Sequence, residues 1–224
     1  MLYKTRAISL NYIRYRDSSV IARVFTEEFG LQSFVVNGVR SSKSRISPAL
    51  FQALNLVDLV QYHDGRKELN RLSEIRPAKI LSTIPIHPAK SAMAIFVAEY
   101  IGKVLRENQE NKPLFSSAYD WILGLDSMAS GFESSHIGFV WNSFSSLGIP
   151  PESWTDVLQT SLRLDPDFQT IAEAYFESGA DFRLLKVPAM IRQQILDALV
   201  RYAASQLEGM GEIRSLAVLR QVFS

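Results

Sequence analysis

Two different hydrophobic periods divide the sequence near residue 80. Before that point, β-branched and aromatic residues alternate with polar ones between turn signals, which predicts β-strands. The predicted strands cover residues 3–15, 20–26, 31–37, 54–62 and 67–76. Five short strands with a long connection after the third are typical of a small Greek-key barrel of the OB type. An SH3-like barrel is the main alternative from the pattern alone.

Beyond residue 80 the apolar residues recur at helical spacing. This spacing predicts helices over 89–106, 113–128, 135–147, 188–203 and 212–223. We expect residues 152–187 to form a loop with a short helix near 167–178. The predicted fold class is therefore α+β, with an N-terminal five-stranded OB-type β-barrel (residues 1–80) followed by an all-α helical domain (residues 81–224).

The composition is that of a folded protein, and the sequence contains no cysteine. Of its 224 residues, 47% are hydrophobic and 21% are charged. The lack of cysteine excludes disulfides, thiolate zinc sites and cysteine nucleophiles, and it fits a reducing compartment. The N-terminus has no apolar signal-peptide region, and no run approaches 18 apolar residues. We therefore expect a soluble cytoplasmic protein without a membrane partner.

The net charge of +1 hides an asymmetry between the two halves. Residues 1–79 contain 13 Lys/Arg against 7 Asp/Glu, whereas residues 80–224 contain 11 against 16. A basic half followed by an acidic half indicates that contact with a polyanion is confined to the barrel. A chance split of solvated surfaces would give the same numbers.

The segment V-N-G-V-R-S-S-K-S-R-I-S-P (36–48) concentrates this positive charge. Arg40, Lys43 and Arg45 stand among four serines between Gly38 and Pro48, and no acid accompanies them. Cations, short hydroxyl donors and free backbone amides are what a phosphate-binding loop needs. We call this segment the hinge and predict that it binds phosphate; a flexible loop kept soluble by its charges is the alternative.

Other cations fall where OB barrels bind oligonucleotides, on the face of strands 2 and 3 and in the 1–2 and 4–5 loops. Because Val20, Ala22 and Val24 alternate inward, Arg23 and Phe25 face outward, and Phe34 can share their face. The two phenylalanines are explained equally well as barrel core. The predicted nucleic-acid-binding residues are Arg14, Arg16, Arg23, Phe25, Phe34, Arg40, Lys43, Arg45, Arg66, Lys67 and Arg71.

Signatures of catalysis and of metal binding are missing from the sequence. It contains no phosphate-binding or dinucleotide glycine motif, no H-E-x-x-H and no G-x-S-x-G. His63, His87 and His136 share no ligand spacing, and the D-P-D at 165–167 lacks the rest of a calcium loop. We therefore expect no catalytic residue, no cofactor and no bound metal.

Several stretches, in this order and at this spacing, are similar to the bacterial recombination mediator family RecO. In the barrel these are Y-K-T-R-A-I-S-L, D-S-S before a strand, T-E-E-F-G, the hinge N-G-V-R-S-S-K-S-R with the following L-F-Q, and E-I-R-P. The ending I-R-S-L-A-V-L-R-Q-V-F resembles the family's last helix. The resemblance is good over residues 1–106 and 209–223 and poor over 107–187.

This resemblance implies a non-enzymatic DNA-repair protein. RecO proteins bind single- and double-stranded DNA, anneal complementary strands and help to load RecA onto strands coated by single-strand-binding protein. They act with RecR, and their helical part binds the acidic tail of the single-strand-binding protein. For that tail we expect cations on apolar helices, with candidates Lys103, Arg106, Arg192 and Arg201. Some members hold zinc with four cysteines; this chain cannot, so residues 150–185 should be built differently.

Two other functions remain open from the sequence. The first is an RNA-binding OB protein whose helical half serves dimerisation or docking. The second is an enzyme with an unrecognised active site in the helical half.

Overall fold

A computed structural model describes residues 2–39, 46–62, 69–159, 170 and 188–223. Its strands are β1 (Leu2–Tyr15), β2 (Ser19–Thr26), β3 (Gly30–Val36), β4 (Leu56–Tyr62) and β5 (Leu69–Pro77). A short 3₁₀ helix, Pro48–Phe51, precedes β4. The five strands form a closed barrel in the order β1-β2-β3-β5-β4, with β1 paired to both β2 and β4.

The pairing of the strands settles which kind of barrel this is. β1–β2, β2–β3, β4–β5 and β1–β4 are antiparallel, and β3–β5 is parallel. This is the five-stranded Greek-key closure of the OB fold. The OB-type prediction is confirmed, and the SH3-like alternative is excluded.

Alternating apolar residues fill the barrel because successive side chains on a strand point to opposite faces. Ala7, Val20, Ala22, Val24, Phe34, Val36, Val57 and Leu59 are buried together inside. Phe51, from the 3₁₀ helix, joins this cluster and is only 1% exposed. The long connection after β3 thus returns to the barrel through an anchored aromatic ring.

Six α-helices follow in the described residues. They are α1 (Pro88–Val104), α2 (Lys112–Ser127), α3 (Ser135–Leu147), α4 (Trp154–Gln159), α5 (Ala189–Gln206) and α6 (Ser215–Val222). All five predicted helices are present within two or three residues of the expected bounds. α4 was missed, because W-T-D-V-L-Q is too short to show a clear period. The helix expected near 167–178 lies, except for Thr170, outside the described residues.

Helix α1 is the central element of the helical half. It is apolar around most of its circumference, and helices of this kind are buried on all sides. Phe96, Tyr100 and Ile101 are fully buried. The Tyr100 hydroxyl lies 2.7 Å from Ser143 Oγ on α3, and the hydrogen bond between them satisfies both polar groups inside the core. α1 packs against β1 as well as against α2, α3 and α6, so it joins the barrel to the bundle.

The chain between barrel and bundle is held by the carboxylate of Asp126 at the end of α2. Its oxygens accept hydrogen bonds from the backbone N–H groups of Ser82, Thr83 and Ile84 at 2.8–2.9 Å. Burial favours the neutral acid, but these donors outweigh it and lower the pKa of Asp126 to about 2. Lys90, 2% exposed, donates to the carbonyl of Met128 at 2.6 Å and thereby caps the same helix end.

Barrel and bundle also meet along β2 and β3, in a contact that we call the seam. Phe25 packs edge-on against Phe115 of α2, with 5.5 Å between ring centroids. Asn108 donates its backbone N–H to the carbonyl of Leu31 at 2.6 Å, so residues 106–109 run beside β3. Gly30 has a φ of +68°, and a Cβ there would overlap the carbonyl of Gln109. The seam therefore fixes one arrangement of the two halves.

Candidate nucleic-acid interface

Strand register places two connections of the barrel side by side and brings Arg71 of β5 next to them. Tyr15 pairs with Ser19 across the β1–β2 hairpin, and Val20 pairs with Val36 where β3 ends. At that end of β3, Val35 pairs with Arg71 near the start of β5. Residues 15–19 and 36–39, together with Arg71 beside Val35, therefore form one border of the barrel, which we call the loop edge. The hinge leaves β3 from this edge.

Three of the predicted cations lie at the loop edge within the described residues. Arg14 and Arg16 are exposed beside the β1–β2 hairpin, and Arg71 is exposed on β5. Arg16 has a φ of +54°, and its guanidinium carbon lies 5.2 Å from the centre of the Tyr15 ring. The sequence analysis thus selected cations near β1 and on β5, and the fold brings them to one border.

Arg23 lies further along the outer face of β2, towards the helices. Its side chain is 35% exposed, and its Nη2 is 4.0 Å from a carboxylate oxygen of Glu107. A Cβ at Gly102 of α1 would be 3.6 Å from its Nη1. Arg23 therefore stands at the boundary between the open part of the barrel face and the part covered by the bundle.

Phe25 and Phe34 are corrections to the sequence analysis, because both side chains are 0% exposed. Phe34 points into the barrel, where it packs among the inward valines. Phe25 points outward as expected, but the bundle covers it through Phe115. Neither ring has a free face for a base, so the expected stacking role is wrong for both.

The other predicted cations lie outside the described residues. They are Arg40, Lys43 and Arg45 of the hinge and Arg66 and Lys67 of the 4–5 loop. The residues that flank them are described. Val39, near the start of the hinge, is buried in the barrel cluster, and Phe51 is anchored soon after the hinge ends. Tyr62 and Leu69 flank the 4–5 loop.

The barrel also has a row of outward-facing residues, of which the sequence analysis named Arg71 alone. Leu2, Tyr62, Arg71 and Val35 are in-register neighbours on β1, β4, β5 and β3, and we call them the outer row. Leu2 is 51% exposed and Tyr62 is 53% exposed. Parity could have revealed Tyr62: in L-V-D-L-V-Q-Y the inward positions are Val57, Leu59 and Gln61, which leaves Tyr62 outside.

The helical half contains a separate cleft between α3, α5 and α6. Its apolar wall includes Leu196, Leu219 and Phe223. Arg220 at its border pairs with Asp197 at 2.6 Å. Arg192 lies with its guanidinium carbon 5.9 Å from the centre of the Phe223 ring. The cleft thus combines an apolar wall with two guanidinium groups.

His136 forms the floor of this cleft. Its ring stacks on Phe223 with 5.9 Å between centroids, and its Nδ1 has no hydrogen-bond partner among the described residues. Burial, assisted by the nearby charge of Arg192, lowers the pKa of His136 to about 3. The imidazole is therefore neutral near pH 7 and acts as part of the apolar wall.

Of the four expected peptide-binding cations, only Arg192 lines the cleft. Lys103 and Arg106 lie at the far end of α1, exposed, with Lys103 close to Gly211. Arg201 is nine residues beyond Arg192 on α5, or two and a half turns, which places it on the opposite side of that helix. The structure does not bring these four together. It supplies Arg220 instead, which the sequence analysis did not select.

The described ranges contain neither a candidate cation site nor a candidate membrane span. No group of three or more His, Asp or Glu residues there could hold a metal ion. None of the helices of these ranges combines the length and apolar character needed to cross a bilayer.

Comparison with known proteins identifies the family. Residues 1–81 match the family model described as Recombination protein O N terminal. Over 246 aligned positions and the whole of both chains, the protein is 36% identical to DNA repair protein RecO of Bacteroides fragilis. Proteins of the same name from Azobacteroides pseudotrichonymphae and Christiangramia forsetii are 29% and 27% identical, again over both whole chains. The chain therefore belongs to the RecO family of DNA repair proteins.

Proposed function

We propose that this protein is a recombination mediator that binds single- and double-stranded DNA along the loop edge of its barrel. The observation that carries the proposal is the convergence of cations on that edge. Arg14 and Arg16, at the β1–β2 hairpin, and Arg71, on β5, are far apart in sequence but share one border, and the hinge begins there. Lys and Arg contacts to phosphates supply most non-specific affinity for DNA, so little sequence preference is expected.

The cations of the loop edge also suit the annealing of complementary strands. Two complementary strands repel each other through their phosphates, and a surface that neutralises phosphates lowers this repulsion. Contacts to the backbone also leave the pairing edges of the bases free to find their complements. We propose that the protein pairs complementary strands in this way and assists RecA loading together with RecR, as its family membership suggests.

For the acidic tail of the single-strand-binding protein, we propose the cleft of the helical half. Its apolar wall suits an aromatic end, and Arg192 and Arg220 suit carboxylates, which is the combination that such a peptide requires. Arg220 would exchange its pairing with Asp197 for the incoming carboxylate. Titration calorimetry with an acidic, aromatic-ended peptide tests this: Arg220→Ala should weaken binding, whereas Arg201→Ala, on the opposite side of α5, should not.

The test of the main proposal compares DNA and RNA oligomers of one sequence by fluorescence anisotropy. We expect binding to single-stranded DNA without a preference for RNA. A clear preference for RNA would favour the alternative of an RNA-binding protein, because the 2′-hydroxyl distinguishes the two. A second assay measures whether the protein pairs complementary strands coated by single-strand-binding protein. Failure of DNA binding in the first assay would overturn the proposal.

The hinge provides a variant with a quantitative expectation. If Arg40, Lys43 and Arg45 each contact one phosphate, their joint replacement by Ala should reduce the log–log salt slope on single strands by roughly 2, at about 0.7 per contact. Affinity should fall by a similar factor on unrelated sequences. An unchanged slope with full affinity would mean that the hinge is only a solvated loop.

A further inference from the structure

The burial of Phe25 and Phe34 leaves the open part of the barrel without the two aromatic rings that the sequence offered for stacking. Proteins that bind single strands without sequence preference combine a cationic surface with aromatic side chains on which bases stack. Within the described residues of the barrel, an exposed ring beside an exposed cation occurs in the outer row. There Tyr62 of β4 is the in-register neighbour of Arg71 of β5.

The surroundings of Tyr62 suit a flat apolar ligand with a charged backbone. Directly paired residues on neighbouring strands have Cβ atoms about 4.5–5.5 Å apart, so Leu2 and Arg71 flank the tyrosine within reach of its ring. Val35 follows Arg71 on the next strand and extends the apolar surface. The outer row contains one cation and no acid. Leu2 and Tyr62 are both more than half exposed, so their apolar surface is open to a ligand.

The outer row is also continuous with the proposed DNA-binding border. Arg71 belongs to both, since it pairs with Tyr62 on one side and with Val35, at the end of β3, on the other. From Val35 the register continues to Ile21 of β2, close to the β1–β2 hairpin that carries Arg14 and Arg16. A strand whose phosphates contact these arginines would therefore run close to Tyr62.

We propose that Tyr62 is a base-stacking residue for single-stranded nucleic acid, held between Leu2 and Arg71, with Arg71 contacting the adjacent phosphate. This inference rests on the proposed DNA binding and goes beyond it by naming the contact to the bases. Single strands expose the faces of their bases, whereas duplexes bury them. Tyr62 should therefore matter for single strands and matter little for duplex DNA.

The test uses the full-length protein with two single-stranded oligomers of equal length, one with thymine bases and one entirely abasic. Both carry the same phosphates, so they differ in what can stack. Replacement of Tyr62 by Ala should weaken binding of the thymine oligomer by about 5- to 150-fold, the range that stacking of one base corresponds to. On the abasic oligomer, Tyr62→Ala should bind as the wild type does.

Two further variants show whether the aromatic face of Tyr62 is what matters. Tyr62→Phe keeps the ring but loses the hydroxyl, and it should retain affinity for the thymine oligomer. Tyr119→Ala removes a half-buried ring of α2 in the helical half, away from the outer row, where the guanidinium carbon of Arg6 lies 4.9 Å from its centre. It should leave both affinities unchanged. Thermal unfolding of each variant confirms that it is folded before the titration.

The outcomes distinguish this inference from the function on which it rests. If the wild type binds the thymine oligomer but Tyr62→Ala binds it equally well, or loses the same factor on both oligomers, base stacking by Tyr62 is excluded. If the wild type fails to bind the thymine oligomer, the proposed DNA binding falls together with the inference.

Discussion

Replacing Gly30 by alanine should loosen the seam between barrel and bundle more than any comparable glycine substitution. Gly30 adopts a φ of +68°, and a Cβ there would lie 2.6 Å from Glu110 N and overlap the carbonyl of Gln109. These are backbone atoms, which cannot rotate away as the end of a side chain can. The segment beside β3 must therefore move.

The magnitude follows from two separable terms. A left-handed conformation costs an L-residue roughly 1–2 kcal/mol. Displacing the segment also breaks the 2.6 Å hydrogen bond from Asn108 N–H to the carbonyl of Leu31. Leaving a buried partner of a hydrogen bond unsatisfied costs about 1–3 kcal/mol. Together these terms predict a loss of roughly 2–5 kcal/mol in the free energy of unfolding for Gly30→Ala.

Gly38→Ala is the matched control, because its φ is +69° and nothing lies within 4 Å of the position that a Cβ would take there. It should show the backbone term alone, about 1–2 kcal/mol. Urea unfolding of both variants measures the difference, and hydrogen exchange at Asn108 N–H shows whether the seam has opened. Equal losses in the two variants, with Asn108 still protected, would refute the reasoning that the seam excludes a side chain at Gly30.

Three further predictions concern buried charge and pH. The pKa of His136 is lowered to about 3, so the folded protein binds no proton at this side chain at pH 5. The unfolded chain binds one below about pH 6.5. The free energy of unfolding should therefore fall by roughly 2 kcal/mol between pH 7 and pH 5. His136→Phe should abolish this fall in urea titrations, whereas a change at the exposed His87 should not. Because the pKa of Asp126 is lowered, its carboxylate stabilises the fold fully above pH 3.8, and this contribution should vanish as the pH falls towards 2. Asp126→Asn should therefore lower the free energy of unfolding by about 1–2 kcal/mol at pH 7 and by little at pH 2. The carboxylate of Glu99 accepts hydrogen bonds from the backbone N–H and the hydroxyl of Ser215, at the start of α6. Glu99→Gln should therefore lower the free energy of unfolding by about 1–3 kcal/mol and speed hydrogen exchange in α6. Unchanged exchange would show that this helix does not depend on the carboxylate.

The fold was largely predictable because its signals are local. Strand alternation and helical spacing depend on neighbours in sequence, and the long connection after β3 is visible as a polar, serine-rich stretch. The inward positions Val20, Ala22 and Val24 followed from parity alone, and the structure confirms them. α4 was missed because six residues hold less than two helical turns.

The site was less predictable because its exposure is decided by contacts between distant segments. Parity placed Phe25 correctly on the outside of β2, but only the docking of α2 shows that Phe115 covers it. The face of Phe34 stayed open in the sequence, and its pairing with the inward Ala22 places it in the barrel core. Tyr62 and Arg71 become neighbours through the pairing of β4 with β5, and Arg192 and Arg220 meet through the packing of α5 against α6.

The salt dependence of single-strand binding tests the central claim most directly. The variant Arg14→Ala, Arg16→Ala, Arg71→Ala removes the described cations of the loop edge, and Lys79→Ala, Arg201→Ala, Arg214→Ala removes three exposed cations elsewhere. Titrations at several salt concentrations give the slope of log K against log salt. The loop-edge variant should lose roughly 2 from this slope, at about 0.7 per phosphate contact, and the control variant should lose nothing. Equal slopes for the wild type and the loop-edge variant, or a loss confined to the control, would contradict DNA binding at this edge.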